Sequence, residues 1–170
     1  MAQAIGGKGS AAAHAPAEGD SRWKALCDRG NAAFAEGRWA EAGRCYDEAA
    51  AEAKLVFAAF RRNAPLPGAD APPMLVVSAA NAAENWLRCG HPARAADIIM
   101  AVCRDLCDAM ADDGLAHSLR LACFQHLKPA MAELLDKLQR AGAPRETVAC
   151  ELQKAQAAAM NFITHHGSSH

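Results

Sequence analysis

Aromatic residues make up only 5% of this 170-residue chain, with a single tyrosine, and no long run of apolar residues occurs anywhere in it. The aromatic shortage argues against a β-sandwich, whose strands draw on aromatic and β-branched side chains. The longest apolar stretches fall well short of the roughly 18 residues a membrane span requires, and the N-terminus lacks the continuous apolar core of a secretory signal. A surplus of charge is missing as well: 18 Lys+Arg stand against 19 Asp+Glu, a formal net charge of -1. Nothing in that balance draws the whole molecule to nucleic acid or anionic lipid, and Arg61, Arg62 and Arg88 are too few to build a phosphate track. Catalytic signatures such as G-x-S-x-G, H-E-x-x-H or a dinucleotide fingerprint are also lacking. The expectation is a cytoplasmic chain that is not an enzyme and carries no cofactor.

Alanine is what the sequence has in quantity, supplying about half of the 52% of residues that are hydrophobic. It is the best helix former and lets helices approach closely, so an all-α protein is expected. Residues 1–20 (MAQAIGGKGSAAAHAPAEGD) hold no large apolar residue beyond Met1 and Ile5 and read as a disordered tail. Within them Gly6-Gly7-Lys8-Gly9-Ser10 is no phosphate loop, because no strand precedes it.

From Ser21 the helical period sets in. Trp23, Leu26, Cys27, Gly30 and Phe34 mark a first helix to about Glu36; Trp39, Ala42, Tyr46, Ala49, Ala53, Phe57 and Phe60 mark a second, ending near Arg61 and Arg62. Asn63 to Pro73, with four prolines, reads as an exposed connector. A third helix runs through Leu75, Ala79, Ala83 and Leu87, and a fourth through Ala95, Ile99, Cys103 and Met110. After Asp112-Asp113-Gly114 a long fifth helix continues to Ala141, kinked or split by Pro129, and a sixth passes Val148, Leu152 and Phe162. Thr164 to His170 is expected to fray. About six helices thus form three hairpins, over roughly 21–62, 74–110 and 114–163, with turns at Gly37, Gly90 and Gly142 that lie 53 and then 52 residues apart. A single hairpin cannot cover its own apolar face, so the three are expected to stack.

The first hairpin, with Gly30, Asn31, Phe34, Gly37, Trp39, Glu41, Ala42, Tyr46 and Ala49 at matching spacing, resembles a tetratricopeptide repeat. Ala83, Leu87, Gly90 and Ala95 echo it in the second hairpin, and Leu135, Leu138 and Gly142 in the third. The chain is similar to a short, irregular, three-hairpin relative of that family, with long second helices in place of a regular 34-residue period. The resemblance implies a stack of antiparallel helical hairpins whose first helices line a concave groove for a peptide or helix of a partner protein. Carried over, it puts Lys24, Cys27, Asn31 and Phe34 of the first hairpin at that groove. From the second come Asn81, Glu84, Leu87 and Arg88, and from the third Asp136 and Arg140. Amide side chains there can pair with a peptide main chain, and Arg or Lys with carboxylates. Asn31 and Asn81 match the asparagines with which some relatives clamp a terminal carboxylate, but Cys27, Pro129 and Glu133 stand where cations belong, so that clamp is incomplete.

Trp23, Trp39 and Trp86 at helical spacing suit core filling better than an aromatic binding surface. The seven cysteines form no secreted framework and read as reduced thiols filling gaps between helices. Cys103 and Cys107 share a helix face, the feature on which a metal or redox protein would rest, though no second ligand pair accompanies them. His117 and His126, nine residues apart, face opposite ways on one straight helix. His165, His166 and His170 could bind a metal weakly, but no physiological metal is expected there. The function expected is a non-catalytic protein-binding module. A small bacterial-type chaperone for a secreted substrate, the metal or redox protein, and an oligomer paired through alanine-rich faces are the alternatives.

Overall fold

The computed structural model of the chain describes residues 20–167, with side chains to residue 164. The expected tail over 1–20 lies, apart from Asp20, outside the described residues, as do the side chains of the terminal histidines. Six helices and no strand occur among the described residues: α1 (Ser21–Ala35), α2 (Trp39–Arg61), α3 (Ala71–Arg88), α4 (Pro92–Ala111), α5 (His117–Arg140) and α6 (Arg145–Gly167). The all-α expectation holds, and each helix packs on its neighbours as stacked antiparallel hairpins do, in a solenoid-like arrangement.

The three tight turns share one device. Gly37, Gly90 and Gly142 take positive φ, of 75°, 78° and 69°. In each case the next residue's N–H reaches back five residues: Arg38 to Ala33 O at 2.9 Å, His91 to Trp86 O at 2.8 Å, and Ala143 to Leu138 O at 3.0 Å. This is the Schellman closure, and it reverses the chain at once because glycine carries no Cβ to oppose the left-handed backbone. Asn63, at φ 55°, ends α2 in the same way, with Ala64 N–H bonded to Ala59 O.

Three boundaries differ from expectation, each for a local reason. Pro72 and Pro73 belong to the first turn of α3, where a missing N–H costs no helical bond, so the connector is shorter than Asn63 to Pro73. Helix α5 starts at His117, later than residue 114, after a turn in which Gly114 N–H bonds Asp112 Oδ1. Of the expected kink or split at Pro129 the split does not occur, and one helix runs through the proline. Pro129 and Gln125 are both exposed, so the carbonyl freed by the proline sits on the solvent side. Helix α6 continues to Gly167 where fraying was expected from Thr164, whose Oγ1 donates to Met160 O at 2.7 Å.

The main core spans α2 to α6 and centres on Met74, Ile99, Leu106, Met110, Leu134 and Leu138, all fully buried. The first hairpin closes on small residues instead: a Cβ on Gly30 would lie 2.5 Å from the Tyr46 ring, so the absence of that atom sets the spacing of α1 and α2. Trp23 Nε1 donates to Ser78 Oγ at 2.7 Å, tying α1 to α3. At the other end buried Arg120 donates to Met110 O at 3.0 Å and pairs with Asp113 at 2.7 Å, closing the end of α4 against α5.

Candidate functional site

The residues assigned by resemblance to one groove fall into two separate groups. In the first hairpin, exposed Lys24 pairs with Asp20 at 2.9 Å. Asn31 Oδ1 accepts from Tyr46 Oη at 2.9 Å. Half-buried Phe34 meets Trp39 edge-on, with ring centroids 4.9 Å apart. The second group joins α3 to α5. Glu84 accepts from Arg140 Nη2 at 2.9 Å and from Lys137 Nζ at 3.3 Å, and pairs with Arg88 at 3.3 Å. Asp136 in turn holds Lys137 at 2.8 Å and Arg140 at 3.3 Å. Asn81 and Leu87 are half-buried on the same helix, Leu87 against the main core.

This second group is a closed ion network. The Arg140 hydrogen bond, outweighing burial, holds the Glu84 carboxyl at about 2. Burial alone would lower Lys137, but Asp136, Glu133 and Glu84 around it raise it instead. The sequence reading missed Lys137, whose buried position follows only from α5 lying against α3. Side chains so engaged brace two helices, and a ligand would have to displace partners already made.

Open clefts lie on the other side of α3, half a turn around the helix from Glu84. One, of about 420 Å³, has α2 and α4 as walls and α3 as floor. Leu75, Ala79, Ala82, Ile98 and Val102 make its apolar base, and Asp47, Lys54, Arg94 and Asp97 its rim. A second, of about 840 Å³, runs between the first turns of α2 and the last turn of α3, beside Trp39, Gly43, Arg44, Asn85, Trp86 and His91. The two adjoin at Asp47, which lines both. Arg94, on the rim of the first, lies over the Trp86 ring of the second at 3.7 Å. From Ala40 to Lys54 the α2 face runs roughly 21 Å at 1.5 Å per residue. The signal for this groove in the sequence is the stripe Gly43, Asp47, Ala50, Lys54 on α2, which the resemblance, pointing to first helices, passed over.

The cysteine pair offers no thiolate. Burial pushes the Cys103 thiol up to about 12 and raises Cys107 as well, so both are protonated near neutrality. Among the described residues no three His, Cys, Asp or Glu side chains gather as a metal would need. Nor is any helix among them long and apolar enough to cross a membrane.

Fold and groove together define a stacked-hairpin α-helical protein with an open cleft across its second and fourth helices. Residues 21–167 match the model of the family described as "Protein of unknown function (DUF2753)", and the chain belongs to that family. Neither the curated proteins nor the solved structures contain a match to it.

Proposed function

We propose that the chain is a non-catalytic binding module that takes a peptide or helix of a partner protein along the α2–α4 groove. The observation that carries this reading is the groove's make-up: an apolar base of Leu75, Ala79, Ile98 and Val102 flanked by charges of both signs on two walls. Such a base buries apolar partner side chains while the rim sets direction and register. The α3–α5 face suits the role less well, because Glu84, Arg88, Asp136 and Arg140 already satisfy one another.

The test places a photo-crosslinking amino acid at exposed Ala51, inside the groove, and at Asn81, which does not line it. A partner cross-linked from position 51 and not from 81, and lost when Ala51→Trp fills the groove with melting unchanged, supports the reading. Loss of that partner in Asn81→Ala/Arg88→Ala but not in Ala51→Trp moves binding to the α3–α5 face and overturns it. No cross-linked species from either position also overturns it.

A further inference from the structure

At the end of the groove beside the start of α2, two features stand together that folding alone does not call for. Asn85 is only 2% exposed, yet its Oδ1 has no hydrogen-bond partner. A buried acceptor left unmade is a standing cost, and most such atoms in folded chains are satisfied. Directly against it lies Gly43, in the interior of α2, where alanine would make the better helix. A Cβ at position 43 would come within 3.0 Å of Asn85 Nδ2, so glycine leaves room for the carboxamide, which stays buried just beneath the floor of the cleft. Both are losses in stability, in mutual contact, and at the base of the same opening.

The surroundings specify what would use that carboxamide. Glu41 and Ala42 N–H groups bond Arg38 O, which leaves those of Trp39 and Ala40 outside the helical ladder at the positive end of α2. Arg38 is taken by Glu36 and Glu41, whereas among the described residues no ion pair reaches Arg44 on the same wall. Asp47, a turn further along α2, and Glu41 line the same cleft. Trp39, 36% exposed, and half-buried Trp86 flank the opening as flat apolar walls. An asparagine carboxamide offers one acceptor and one donor group, the complement of a main-chain amide, and its two ends can exchange by rotation. In a helix the main-chain groups are consumed by the helix itself; only an extended segment has them free.

We infer that this end of the groove binds an extended segment of a partner protein that carries an acidic side chain. The Asn85 carboxamide turns from its buried seat to pair with the segment's main-chain amide, and Arg44 with the first turn of α2 takes the carboxylate. The inference rests on the groove proposed above and narrows its occupant from any peptide or helix to an acidic, extended one.

The probe is the peptide acetyl-Ala-Ala-Glu-Ala-Ala-amide, titrated into the ¹⁵N-labelled full chain while the Asn85 side-chain amide and the indole signals of Trp39 and Trp86 are followed. Saturable shifts at all three are expected, with the lysine counterpart acetyl-Ala-Ala-Lys-Ala-Ala-amide at least about tenfold weaker. Asn85→Leu, which replaces the orphan carboxamide by an apolar group of similar shape, should lose about tenfold or more in binding while its melting temperature holds or rises. Gly43→Ala, which crowds the carboxamide, should lose binding in the same way and supplies the result should Asn85→Leu fail to fold. Undiminished binding by either folded variant, or no shift at Asn85 with the glutamate peptide, overturns the inference. Shifts as large with inorganic phosphate as with the peptide would mark a simple anion site and overturn it too. A failure here with position-51 cross-linking intact removes only the acidic, extended occupant; failure of both removes the groove.

Discussion

Glu84→Gln weighs the ion network that braces α3 against α5. The substitution keeps the side chain's shape and removes the charge that Arg140, Lys137 and Arg88 share. In the folded chain the Glu84 carboxyl sits at about 2, down from 4.5, chiefly through the Arg140 hydrogen bond. A group whose folded pKa is depressed stabilises the fold above its unfolded pKa and loses that contribution as pH falls through the folded value. The full shift corresponds to about 3 kcal/mol at about 1.4 kcal/mol per pKa unit. Solvent reaches the network, since the Glu84 and Arg140 side chains are 25% and 39% exposed. Screening therefore brings the expected loss in Glu84→Gln down to about 1–2 kcal/mol at neutral pH. On a chain of this size that is a drop of about 2–8 °C in Tm. Urea unfolding of both proteins at a series of pH values reads it directly. The gap should stay constant from neutrality to about pH 5 and close between about pH 4.5 and 2, where the wild-type carboxyl takes up its proton. A double-mutant cycle with Arg140→Met should return a coupling above about 0.5 kcal/mol. Equal stability of Glu84→Gln and wild type at neutral pH, or a gap that ignores pH, would refute the assignment of the network as a brace.

Two further outcomes follow from packing. Gly30→Ala places a Cβ 2.5 Å from the Tyr46 ring, so the ring must leave its seat and the bond from its hydroxyl to Asn31 is disturbed. Overpacking of about 1–3 kcal/mol outweighs a helix-propensity gain of about 1 kcal/mol, and a lower Tm in thermal unfolding is expected; a Tm at or above wild type contradicts the close approach. Cys89 and Cys150 are exposed and should label first with a maleimide near neutral pH, while Cys103 and Cys123, both pushed by burial to about 12, should label only on unfolding. Peptide mapping by mass spectrometry checks the order, and Cys103 reacting as fast as Cys150 would count against the packing of α4.

Much of the fold was legible because helices are written locally. The stripe through Trp23, Leu26, Cys27, Gly30 and Phe34 and the glycines at 37, 90 and 142 act over four or five residues, and they located α1, α2 and the three hairpin turns to within a residue or so. Where local reading slipped, it slipped over prolines whose effect depends on position within the turn, Pro72 and Pro73 at the start of α3. The candidate site was legible only in part. Glu84, Arg88, Asp136 and Arg140 do meet, but as a brace between helices, with Lys137 at its centre.

Composition and period by themselves determined the six helices in three hairpins of the described residues, since alanine content, apolar spacing and turn glycines are properties of short stretches of chain. Tertiary structure alone decided which side of α3 closes and which stays open. Lys137 reaches Glu84 across 53 residues and Trp23 reaches Ser78 across 55, so their pairing depends on how one hairpin seats on the next. The orphaned Asn85 carboxamide against Gly43 has the same origin. Whether a polar atom finds a partner is settled by the volumes that meet across helices, and no local stretch of sequence holds both sides of that contact.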